Sequence, residues 1–172
     1  MKQKRGQFYL IAAIIIITMI AGLVVISNYS KKREAVKLYD LGQELGIESE
    51  NVLDYGTYNE LNESEMTALL QQFVEEYTSY AGEGKSLYFI FGNSEKITII
   101  AYQELAADVY VDVGEGPLAL AIDGEPQEFS PTGNKVVITI GEHEYKFILK
   151  KGENFYFVIS QEIQGEEYVV TS

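Results

Sequence analysis

Cysteine is absent from the 172 residues, which excludes thiol nucleophiles, thiolate metal sites and disulfides together. An exported domain made from this chain must therefore rely on its hydrophobic core, which a length of about 140 residues permits. Histidine is almost absent too. With His143 alone, neither a His-Glu-x-x-His zinc helix nor a multi-histidine metal site can form. His143 sits in Gly141-Glu142-His143-Glu144 between two predicted strands and reads as a solvated turn residue. There is no Gly-x-Ser-x-Gly elbow, no phosphate-binding loop and no dinucleotide fingerprint. The sequence thus predicts no enzyme, no cofactor and no metal site. Proline is scarce, with three residues, and neither a long disordered stalk nor an internal repeat is visible. Positive charge is also in short supply: 13 Lys and Arg stand against 26 Asp and Glu, for a net charge of −13. That balance argues against nucleic acid as a partner, because phosphate contacts need a basic surface. The acidic segments Asp108, Asp112 with Gly114-Glu115, and Asp123-Gly124-Glu125 lack the ligand intervals of an EF-hand and read as solvated turns.

What the chain does have is an unbroken apolar run from Phe8 to Ile26, 19 residues without a charge. As a helix it reaches roughly 28 Å, close to the hydrocarbon thickness of a bilayer. The run therefore predicts a membrane anchor with lipid as its partner. Removal by signal peptidase after Val25-Ile26-Ser27 is the alternative fate, although secretory apolar stretches are usually shorter, about 7–15 residues. Lys2, Lys4 and Arg5 precede the run and Lys31, Lys32 and Arg33 follow it, so the positive-inside rule does not orient it. All 26 acidic residues and all but three of the 13 basic ones lie beyond the run. We read a short N-terminal tail in the cytoplasm and a large acidic domain outside. Asn28-Tyr29-Ser30 and Asn62-Glu63-Ser64 are candidate N-glycosylation sequons that fit such a domain.

The junction Lys4-Arg5-Gly6-Gln7, followed directly by the apolar helix, resembles the processing site of archaeal type IV pilins. The opening Arg5-Gly6-Gln7-Phe8-Tyr9-Leu10-Ile11-Ala12-Ala13-Ile14-Ile15 also resembles single-pass membrane proteins of archaea. The resemblance covers about the first thirty residues. It implies that a prepilin peptidase cuts after Gly6, that Arg5 marks the site, and that Gln7 begins the mature chain. It further implies that Phe8–Ile26 helices of several copies pack together in a filament. Bacterial-type pilins carry a glutamate at the fifth mature position, where this chain has Ile11, a departure that archaeal pilins often share. Gly6 read without the resemblance is a small residue ahead of an ordinary signal anchor.

Beyond the run, Ala35, Leu38, Leu41 and Leu45 recur at helical spacing, and Gly46 offers a stop. Asn62 with Glu65 makes a capping box for a second helix whose stripe is Met66, Leu69, Leu70, Phe73, Val74 and Tyr77, closed by Gly82 and Gly84. After Gly84 the period changes to alternation. Strands are predicted at 86–91, 96–103, 108–113, 118–122, 135–140, 145–150, 155–161 and 167–171, antiparallel and at meander or sandwich spacing. The expected organisation is a basic leader-like segment (1–7), a transmembrane helix (8–27), a juxtamembrane amphipathic helix (28–47) and an extracytoplasmic α+β head (48–172). Two functions follow: a pilin-like surface subunit that assembles with itself, or an unprocessed single-pass protein whose head binds another component.

Overall fold

The computed structural model describes residues 3–104 and 107–172, with side chains from Ile14 onward. The chain is α+β, with helices α1 (Gln3–Tyr58) and α2 (Glu63–Ala81) followed, among the described residues, by nine strands. It divides into one unit up to Lys37 and a second from Leu38 to Ser172. In the first unit, every described large apolar side chain from Ile14 to Ile26 is about half exposed or more, reaching 67% at Ile26. Among the described residues, α1 is the one helix long and apolar enough to cross a membrane.

The second unit has its own core. Strands β1 (Ser86–Gly92), β2 (Ile97–Tyr102), β5 (Gln127–Phe129), β8 (Asn154–Ile163) and β9 (Glu166–Thr171) form one antiparallel sheet in the order β5-β2-β1-β8-β9. Strands β3 (Val109–Asp112), β4 (Pro117–Ala119), β6 (Lys135–Ile140) and β7 (His143–Ile148) form a second, in the order β4-β3-β6-β7. The larger sheet is covered on both faces, which explains why β1 is apolar without alternation. Its Leu87, Phe89 and Phe91 pack with Leu45, Leu70, Val74 and Tyr77 of the helices, while Tyr88 and Ile90 pack with Val111, Val136 and Ile138 of the smaller sheet. Each fully buried large side chain contributes roughly 1.5–3 kcal/mol before entropy.

The expected stop at Gly46 is corrected: α1 continues through it to Tyr58. A single interior glycine costs a helix only about 1 kcal/mol, and Leu45, Val52 and Leu53 around it pack into the helix-facing core. The helix ends further on. Glu60 takes a left-handed φ of 54°, and the Leu61 amide donates to the Gly56 carbonyl at 3.0 Å. Two residues later Asn62 caps α2: its Oδ1 accepts from the Glu65 amide at 3.1 Å, and its own amide donates to the Glu65 carboxylate at 3.0 Å. Gly82 closes α2 at φ 73°.

Two hairpins are tighter than their sequences suggest. Ile140 pairs with His143, so Gly141-Glu142 is a two-residue turn and His143 opens β7 instead of lying in a four-residue loop. Ile163 pairs with Glu166 across Gln164-Gly165, both at positive φ, the geometry that matches strand twist. The strand expected at 118–122 shrinks to Pro117–Ala119, and Gln127–Phe129 forms an edge strand that the sequence pattern did not suggest.

Candidate functional site

Alternation along β8 sends Phe155, Phe157 and Ile159 toward the helices and Val158 and Ser160 toward the smaller sheet. The strand period carries the second face on to Glu162. On β1 the same face holds Ser86 and Tyr88; Ser86 lies directly opposite Ser160, and Tyr88 opposite Val158, so Tyr88 and Ser160 are diagonal neighbours. On β9, Glu167 lies directly opposite Glu162, which puts two carboxylates side by side on that face. The smaller sheet ends above them in Ile140, Gly141, Glu142 and His143. Together these residues, with Ala107 and Gly165, line a pocket of about 520 Å³ at one end of the sandwich.

The floor of this pocket holds buried hydroxyls. Tyr88 is 0% and Ser160 2% exposed, and among the described residues the Ser160 hydroxyl has no hydrogen-bond partner. Leaving such a group unpaired costs about 1–3 kcal/mol. Burial pushes the Tyr88 phenol up to about 12, with the Glu167 carboxylate adding to the rise. The neighbouring Ser86 hydroxyl works the other way, as a hydrogen-bonding neighbour of the phenol, and its Oγ also accepts from the Glu104 amide at 3.1 Å. Tyr145 is also raised, by burial first and by Glu167 second. Among the described residues, no Lys or Arg is paired with Glu162 or Glu167.

A second, wider groove of about 590 Å³ runs between α1 and the start of β8, lined by Gly46, Ile47, Leu53, Phe155 and Phe157. Its buried polar residues are both bonded: Ser49 Oγ donates to the Gly46 carbonyl at 3.0 Å, while Asn154 Oδ1 accepts from the Lys150 amide and its Nδ2 donates to the carbonyls of Gly92, Lys150 and Gly152. This groove lacks the unbonded hydroxyl of the first.

No protein-family model, curated protein or solved structure matches the chain. Its residues must therefore be read on their own geometry. Arg5, Gly6 and Gln7 fall in the first turns of α1, where the backbone alone is described, and Met1 and Lys2 lie outside the described residues. Asn28 is exposed within α1, and Asn62 is exposed at the α2 cap. The acidic turns bond to themselves: Asp112 Oδ1 accepts from the Gly114 and Gly116 amides, and Asp123 Oδ1 from the Glu125 amide. No group of three or more His, Asp or Glu able to hold a metal is present among the described residues. None of the sequence candidates sits in the pocket except His143, which is exposed at its rim. Ser160 and Tyr88 went unnoticed because apolar alternation hides a hydroxyl in a buried register position, and Glu162 and Glu167 because two of 26 acidic residues carry no mark of being paired across strands. The signal available was Ser160 breaking the apolar series Phe155–Ile159.

Proposed function

We propose that this chain is a membrane-anchored, pilin-like structural protein of the cell surface, with Phe8–Ile26 in the bilayer or in a filament core and the acidic head outside. The observation that carries this reading is the continuity of α1. The helix passes without interruption through Ser27-Asn28-Tyr29-Ser30 and Lys31-Lys32-Arg33, where a separately tethered domain would be expected to break it. The large apolar side chains described before the junction, from Ile14 to Ile26, are exposed, while Leu38 and Leu45 after it are buried in the head's core. Exposed apolar residues in such number need lipid or neighbouring helices, and a lipid-facing surface and a helix-packing surface use the same side chains. The pocket at the end of the sandwich favours a second reading, an unprocessed single-pass protein whose head binds a ligand.

Co-expression of the full chain with an archaeal prepilin peptidase, followed by intact mass and N-terminal peptide mapping, separates these. Under the first reading the mature chain begins at Gln7, and Gly6→Leu blocks the cut. A chain that keeps Met1 or begins at Lys2 sinks the pilin-like reading in favour of the second. A start at Asn28 makes the protein secreted and removes both.

A further inference from the structure

The end pocket gathers carboxylates and buried hydroxyls with no lysine or arginine among its lining residues. Glu162 and Glu167 face one another directly across β8 and β9, a like-charge pair that weakens the strand contact unless a cation joins it. Beside them, the Ser160 hydroxyl is buried without a partner among the described residues, next to the buried Tyr88 hydroxyl. Neither lysine nor arginine lines the cavity, and Glu142 adds a further carboxylate at the rim. We infer that this pocket binds a small organic primary ammonium, held by Ser160, Tyr88 and the Glu162–Glu167 carboxylates, with its carbon stem against Ala107 and Ile140.

The chemistry selects among the ligand classes. An anion would meet carboxylates with no balancing cation in the lining. A bare metal ion lacks the three-ligand cluster it needs among the described residues. A neutral polyol would satisfy the two hydroxyls but leave Glu162 and Glu167 in repulsion. An ammonium supplies three N–H donors and one positive charge. That number suits two hydroxyl oxygens and a carboxylate, and the charge settles the glutamate pair. The apolar walls at Ala107 and Ile140 accept the stem without asking for further bonds.

The test is calorimetric titration of the full chain in detergent micelles with n-butylammonium chloride. Tetramethylammonium chloride serves as a cation without donors and n-butanol as a donor without charge. Saturable binding of butylammonium that neither control reproduces is the expected result. Ser160→Ala and Glu167→Gln should each weaken it by about tenfold, the scale of one hydrogen bond to a charged group. Ser160→Ala should do so while keeping or raising the urea midpoint, since it removes a buried unbonded hydroxyl. Glu167→Gln lies at an exposed position and reads the site even if the serine variant folds poorly. The inference is overturned by the absence of saturable heat, by equal binding of tetramethylammonium, or by folded variants that bind as the parent chain does.

Discussion

Two glycines four residues apart on α1 should respond oppositely to the same substitution. At Gly46 an added Cβ meets nothing within 4 Å, so Gly46→Ala gains only the helix preference of alanine, about 0.8–1 kcal/mol. At Gly42 the same gain is available, but the new Cβ would overlap Val170 Cγ1 and lie 3.2 Å from Val170 Cβ and 3.7 Å from Phe157 Cε2. Valine has no flexible end to swing away. Overpacking of this kind costs about 1–3 kcal/mol, so Gly42→Ala should come out between neutral and about 2 kcal/mol destabilising. Urea unfolding of the full chain in detergent, followed by tyrosine fluorescence and circular dichroism, reads both effects. With the slope unchanged, the midpoint should rise for Gly46→Ala and fall for Gly42→Ala. Adding Val170→Ala to Gly42→Ala should recover part of the loss, giving a coupling of about 1–2 kcal/mol. A lowered midpoint for Gly46→Ala would refute the passage of the helix through that residue. Equal shifts for the two glycine variants would refute the packing of β9 against α1.

Tyr77 donates its hydroxyl to the Leu41 carbonyl at 2.6 Å, tying α2 to α1, and Tyr77→Phe should cost about 1 kcal/mol in the same urea experiment; no change would mean that water replaces the bond without loss. Asn62→Ala removes a side chain that caps α2 and should lower stability by about 1 kcal/mol, with Asn62→Asp close to the parent chain. Burial raises Tyr88 to about 12 and raises Tyr77 further, whereas an unfolded tyrosine ionises near its usual value of 10.0. The folded chain therefore holds these protons more tightly than the unfolded one. Their contribution is fully present below about pH 10 and lost as pH rises through about 10 to 12. Urea midpoints across that window should fall, and Tyr88→Phe should flatten part of the fall; a flat profile in the parent chain would remove both phenols from the argument.

Local spacing was enough for several elements of this protein. The apolar run from Phe8 to Ile26 falls within α1, and the stripe from Met66 to Tyr77 with its Asn62–Glu65 box marks α2 with its cap in place. The alternation of Val136, Ile138 and Ile140 against Val137 and Thr139 marks β6 and its buried face. These signals are carried by residues within a few turns or one strand of each other, so the periodicity of the backbone alone makes them readable.

Non-local contacts decided the rest. Whether α1 stops at Gly46 depends on Val52 and Leu53 finding the core that β1 and β8 supply, and that core is built from residues far along the chain. Gln127–Phe129 is too short and too polar to announce a strand, and it becomes one only because Ile97, Thr98 and Ile99 offer an open edge. The end pocket is assembled from β1, the β6–β7 turn, β8 and β9, and its members Tyr88 and Glu167 stand 79 positions apart in the chain. A hydroxyl within a strand carries no mark of being left without a partner. That outcome belongs to the register of β1 with β8 and of β8 with β9, which place Ser160 beside Ser86 and Glu162 beside Glu167. The amino-acid sequence by itself determined the apolar helix, the capped second helix and most of the strands after Gly84, with their apolar faces, because those follow from side-chain spacing. Only the tertiary structure decided where α1 ends, which strands share a sheet and which polar groups are buried together, because these depend on pairing between segments distant in sequence.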